Sequence, residues 1–198
     1  MSSDIQSTFI EAAALDADGI SVAAAVGDGA SLVIGGALAS GGSVTFDQPR
    51  NVTILSAGDD SGISFTVTGT DETGDSATES ITGANAGTAT GSSYFTTVTA
   101  IAAVGDPAGN VSAGSGTAIA APMFRGRMRL RGIYAVNTGT AGTTTFRQTS
   151  SSGAVRMKFN TVASANTTQY PDVPDDGILF IAGGYILYTQ TTLSSITV

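Results

Sequence analysis

Arg125, Arg127, Arg129 and Arg131 occupy every second position of FRGRMRLRG, residues 124–132, in a chain that holds only eight basic residues. Successive side chains alternate across a strand, so guanidinium groups at this spacing share one face. The chemistry open to them is recognition of carboxylate or phosphate oxygens. Charges two residues apart lie about 6.5–7 Å from one another and repel, so such a strand needs acids opposite it or free water. Met128 and Leu130, and after a slip at Gly132 either Ile133 or Tyr134, are expected to point inward. Arg147, Arg156 and Lys158 alternate on later strands and are expected to extend the basic face.

Other chemistry is sparse. The chain has no Cys and no His, which removes thiolate nucleophiles, disulfides, the commonest metal ligands and every Ser-His or Cys-His pair. An enzyme would have to run on carboxylates, Lys158 or tyrosines, and the expectation is that the protein is not an enzyme. Adjacent acids at Asp59-Asp60 and Asp175-Asp176 diverge on a strand or turn and lack an apolar cleft to separate their pKa values. DDSG (59–62) and DETGDSATE (71–79) cluster oxygen ligands, but their spacing departs from an EF-hand loop and suits Asx-type turns better. The glycines of GDG (27–29) and GTATG (87–91) lack the following helix and Lys of a phosphate cradle. No cofactor and no metal is expected. Tyr134, Tyr170, Tyr185 and Tyr188, with Phe146, Phe159 and Phe180, could form a sugar-stacking platform, although their alternation favours a core.

These residues must be placed by strands. Charged residues are only 12% of the 198, with 26 glycines and 7% aromatics, and the excess of Thr, Val, Gly and Ser favours many short strands over helices. The fold expected is all-β, with two small antiparallel β-sandwich or barrel-like modules and a short N-terminal arm or helix. In GISFTVTGT, Ile63, Phe65 and Val67 alternate with Ser64, Thr66 and Thr68; Phe95, Val98 and Ile101 are further core candidates. Residues 4–15 place Ile5, Phe9 and Ala12 or Ala13 at helical spacing behind a capping Ser3 or Asp4, or else form an arm. The expected division is an N-terminal arm or helix (1–29), a first, acidic β module (30–114), a small-residue linker (115–124) and a second, basic β module (125–198). Before residue 118 thirteen acids face Arg50 alone, a charge of -12; the rest carries +4, giving the total of -8. A sequence pI near 4.1 argues against polyanions as partners, so no direct nucleic-acid contact is expected. No apolar run is long enough to span a membrane and the N-terminus lacks a secretory signal pattern, so no membrane partner is expected either.

RNVTILSAGDDSGISFTVTGTDETGDSATESITGANAGTATGSSYFTTVTAIAAVGDPAGNVSAG (50–114) resembles a segment of tailed-bacteriophage virion structural proteins, and residues 129–198 resemble a second small β module of the same repertoire. The resemblance implies a capsid decoration, or cement, protein that binds and stabilises the shell of major capsid protein. It would act as a homo-oligomer such as a trimer, assembled in the host cytoplasm and residing on the capsid surface. A tail, neck or fibre component is the alternative, and a carbohydrate-binding module for host attachment a further one. The partner interface is expected at Arg125, Arg127, Arg129, Arg131, Arg147, Arg156 and Lys158.

Overall fold

A computed structural model describes residues 6–198. Among them there is no helix, and the strands are, in order, β1 (Phe9–Glu11), β2 (Ser21–Ala24), β3 (Ala39–Ser40), β4 (Ser43–Ser56), β5 (Ser64–Asp71), β6 (Ser76–Thr82), β7 (Thr88–Thr90), β8 (Phe95–Val104), β9 (Val111–Phe124), β10 (Met128–Leu130), β11 (Tyr134–Asn137), β12 (Gly142–Gln148), β13 (Val155–Thr161), β14 (Thr168–Gln169), β15 (Ile178–Phe180), β16 (Gly184–Thr189) and β17 (Leu193–Thr197). The chain is all-β with antiparallel, sandwich-like sheets, and no sheet closes into a barrel.

Contacts divide the chain into Ala13–Thr117 and a second unit of Ala118–Val198 with the N-terminal segment up to Ala12. Of the two readings left open for residues 4–15, the helix does not form in the described part, since Phe9–Glu11 is strand β1; Ser3, Asp4 and Ile5 lie outside the described residues. Three consecutive alanines mimic a helical pattern, but pairing with β17 (Phe9↔Thr197, Ile10↔Ile196) buries Ile10 more effectively than an isolated short helix could.

In the first unit β4, β8, β5 and β6 pair in sequence, and β9 flanks β4. Phe65 and Val67 from β5, Phe95, Val98 and Ile101 from β8, and Val52 and Ile54 from β4 form the core. The β5 and β4 residues follow a period of two, whereas those of β8 are three apart and share one face because its pairing with β5 slips at Thr68/Gly69 and Thr70/Asp71. At Asp47-Gln48-Pro49 the 14-residue β4 is irregular, and its pairing with β8 shifts register between Thr45 and Arg50. Pro49 has no N–H to offer a ladder, and such an irregularity accommodates it. SLVIGG (31–36) contributes only an isolated bridge from Ser31 to Ala102. Residues 13–29, assigned by sequence to an arm, belong to this unit: β2 pairs with β9 and Ile20 is wholly buried.

The linker expected over 115–124 is the greater part of β9. Its glycines and alanines are small because other backbone passes close by. A Cβ on Gly114 would strike the Asp16 carbonyl, and one on Gly116 the Asn51 side chain. A small-residue run therefore marks a buried strand here, and flexibility has no part in it.

In the second unit one sheet runs β1-β17-β11-β14. Another runs β13-β12-β16 and continues to the later part of β9. Ile10, Ala135, Leu193 and Ile196 from the first pack with Ile119, Phe146, Ile186 and Tyr188 from the second. The two-stranded ribbon β10-β15 adds Leu130 and Phe180 to this core.

Candidate functional site

The arginine stretch is strand only at its centre. Arg125, Gly126 and Arg127 form a bend, and Arg131 to Ile133 form a loop before β11. The bend is anchored where the Gly183 amide donates to the Gly126 carbonyl at 2.7 Å. In β10 the register Met128↔Phe180, Arg129↔Leu179 and Leu130↔Ile178 turns Leu130 into the core and leaves Met128 half-buried. Ile133 is the inward residue after Gly132; Tyr134 stays on the surface. Arg125, Arg127, Arg129 and Arg131 are all exposed.

Two of the four are held by the Pro-braced loop that leads into β15. Arg129 Nη1 donates to the Asp176 carbonyl at 2.7 Å, and Arg131 Nη1 to the Asp175 carbonyl at 3.3 Å. The loop is itself fixed by a turn in which Gly177 N donates to the Pro174 carbonyl. These are backbone acceptors, so the arginines are oriented without being neutralised. Among the described residues the ion pair is Asp47 with Arg50, in the other unit. A guanidinium carries five donors in a planar fork, which leaves Arg129 and Arg131 most of theirs. No hydrogen bond within the described chain engages Arg125 or Arg127.

Arg147, Arg156 and Lys158 sit on a different sheet. Lys158 lies opposite Thr145 on the face away from Phe146 and Met157, and Arg156 shares that exposed face. Arg147 is half-buried and staples its own hairpin, with Nη1 donating to the Gly153 carbonyl at 2.9 Å. The seven cations named from sequence thus form two groups, one on the β10-β15 ribbon and one on the β12-β13 hairpin.

The acidic clusters are turns. Asp59 Oδ1 accepts from the Ser61 hydroxyl and amide, which hold its carboxyl below the usual range. At Asp71 partial burial pushes the carboxyl up. The Thr73 hydroxyl and the amides of Asp75, Thr73 and Gly74, all donating to Oδ1, outweigh it, and the group also sits below the ordinary value. A carboxylate that closes the β5-β6 turn in this way spends its acceptors on the chain.

The aromatic residues separate into two kinds. Phe146, Phe180, Tyr185 and Tyr188 are buried and Phe159 is half-buried, so Tyr185 and Tyr188 offer no stacking platform. Tyr134 and Tyr170 are exposed and meet edge to face.

Sequence reading also passed over Arg50, the one base of the acidic unit. It is 1% exposed, pairs with Asp47 Oδ1 at 3.0 Å, and lies 5.7 Å from the centre of the Phe46 ring. Arg50 Nη2 donates to the Ala13 carbonyl while Asp47 Oδ2 accepts from the Ala13 amide, so the pair grips both polar groups of one residue. This is a structural clamp on the point where the N-terminal segment enters the unit. No family model, curated protein or solved structure matches the chain.

Proposed function

We propose that this chain is a non-enzymatic structural protein of a tailed-phage virion, a decoration protein that binds the major capsid protein shell through the arginine ribbon. The observation that carries the reading is the cluster Arg125, Arg127, Arg129 and Arg131, all exposed in and beside the core-anchored ribbon, with Arg129 and Arg131 oriented by backbone carbonyls rather than neutralised by carboxylates. Pre-oriented guanidinium groups lose less side-chain freedom when a partner carboxylate arrives. The resemblance of residues 50–114 and 129–198 to phage virion proteins supplies the kind of partner: an acidic patch on a repeated protein surface. Single contacts of this kind are weak at physiological salt, and a symmetric array of homo-oligomers multiplies them. The low charge and small side chains suit close lateral contact between subunits.

The double variant Arg127→Ser/Arg129→Ser is expected to fold as the parent does, since both side chains are exposed. It should bind shells stripped of the protein roughly tenfold or more weakly at low salt. Wild-type binding should weaken toward the variant's as salt is raised. Cosedimentation with stripped particles across a salt series reads both, and equal binding of variant and parent at low salt would reject the arginine ribbon as the docking face.

A further inference from the structure

Two connections run side by side at the end of the arginine ribbon. Residues 125–127 lead from β9 into β10 and residues 181–183 from β15 into β16, and the bond from the Gly183 amide to the Gly126 carbonyl ties them together. Phe124 and Ile181 stand here 48% and 61% exposed, beside Arg125 and Arg127. The Phe124 ring lies against Gly126, where a Cβ would come within 3.0 Å of it. The outcome is a basic tip that holds two large apolar side chains, and arginine with an aromatic anchor is the composition that protein interfaces favour.

One end of the Ala13–Thr117 unit has the opposite charge and a similar apolar centre. Val104, the last residue of β8, is 59% exposed, and a Cβ on the next residue, Gly105, would meet the half-buried Ile63 side chain. The Gly105 amide donates to Asp28 Oδ1 at 2.8 Å, which sets that carboxylate at the residue joining Val104 to Asp106. Asp28 and Asp106 are both exposed. The one base of this unit, Arg50, is buried and paired with Asp47, so it neutralises neither.

We infer that the basic tip of one copy docks on the acidic end of a second copy of this chain. Phe124 and Ile181 meet Val104 and Ile63, while Arg125 and Arg127 meet Asp28 and Asp106. Each face supplies the counter-charge the other lacks, and each brings apolar surface to cover. Tip against tip, or end against end, would set like charges together. The contact therefore runs head to tail, which closes into a ring or continues as a filament. With few residues on each side a single contact is weak, with a Kd on the order of 10–100 µM. An anionic membrane also suits an apolar tip with arginines, but it would leave Val104, Ile63 and the two aspartates uncovered. The contact goes beyond shell docking, for which Arg129 and Arg131 keep their own donors.

Sedimentation velocity of the free protein tests this. Association that grows with concentration through that range is expected at low salt, about tenfold weaker at about 0.5 M salt. Arg125→Asp/Arg127→Asp at the tip and Asp106→Arg at the end should each weaken it by about tenfold or more. Ile181→Ser should do so at both salts, because its share of the contact is apolar. Mixed one to one, the tip variant and the end variant should form a complex again, since the first keeps a native end and the second a native tip. That recovery also shows that both variants fold. Asp106→Arg leaves the ribbon whole, so its cosedimentation with stripped shells reads docking apart from self-association. A parent that stays monomeric up to about 1 mM, charge variants that associate as the parent does, or a mixture that forms no complex overturns the inference. So do phosphatidylserine vesicles that bind the parent through the tip while no self-association is seen.

Discussion

Replacing Asp47 with alanine is expected to destabilise the Ala13–Thr117 unit by about 2–3 kcal/mol, because it strands a buried cation. Arg50 is 1% exposed and takes its single charged partner from Asp47. Loss of one member of a fully buried pair costs ~3–5 kcal/mol; the lower figure applies because Asp47 is 38% exposed and water already screens its side of the pair. The Ala13 amide also loses its acceptor, but it is near solvent and water can replace the carboxylate. Arg50→Met should be much milder, within about 1 kcal/mol of the parent, because it removes the desolvated cation together with an Nε–H that has no acceptor. The double variant should resemble Arg50→Met, so the two losses are not additive. Urea unfolding gives the stabilities, and hydrogen exchange at Ala13 reports the clamp itself: its amide should lose protection in Asp47→Ala. If Asp47→Ala unfolds within about 0.5 kcal/mol of the parent, the buried charge is not held as described.

Gly69→Ala is expected to cost at least about 3 kcal/mol or to prevent folding of the same unit, through overpacking against backbone. Gly69 lies in β5 where pairing with β8 slips a residue between Thr68 and Gly69. A Cβ there would overlap the Thr97 carbonyl oxygen, sit 2.9 Å from the Thr97 carbonyl carbon and 3.2 Å from the Phe95 ring. β8 is paired with β4 on one side and β5 on the other, so the carbonyl has little room to retreat. Gly62→Ala is the matched comparison, since a Cβ there meets nothing within 4 Å. It should be neutral or stabilising by up to about 1 kcal/mol through the unfolded chain. Soluble yield and thermal unfolding of the two variants give the contrast, and equal behaviour would contradict it.

The alternation of Ile63, Phe65 and Val67 made β5 and part of the first core legible, because a half-covered strand repeats every two residues; Phe95, Val98 and Ile101, three apart, share that core only through register slips in the β5-β8 pairing that no period announces. The same rule could not distinguish Tyr185 and Tyr188 from Tyr134 and Tyr170. All four lie in strand-like stretches, and which of them is covered depends on the opposite sheet. β9 was misread because small residues serve equally a flexible link and a strand crowded by Asp16 and Asn51, and only the long-range contact separates the two. The partners of Arg129 and Arg131 lie 47 and 44 residues away in the sequence and are backbone atoms, which no side-chain pattern announces. For Arg50 a signal was available: a lone base among eleven acids of Ala13–Thr117 has a reason to be there.

The proposed function depends on where the protein sits on a particle. Gold labelling of whole particles from cells producing this chain, viewed by electron microscopy, reads that position directly. The account predicts label spread over all faces of the shell in many copies, and lost from particles assembled with the Arg127→Ser/Arg129→Ser variant. Label confined to a tail or a single vertex, or absent from particles altogether, would contradict it.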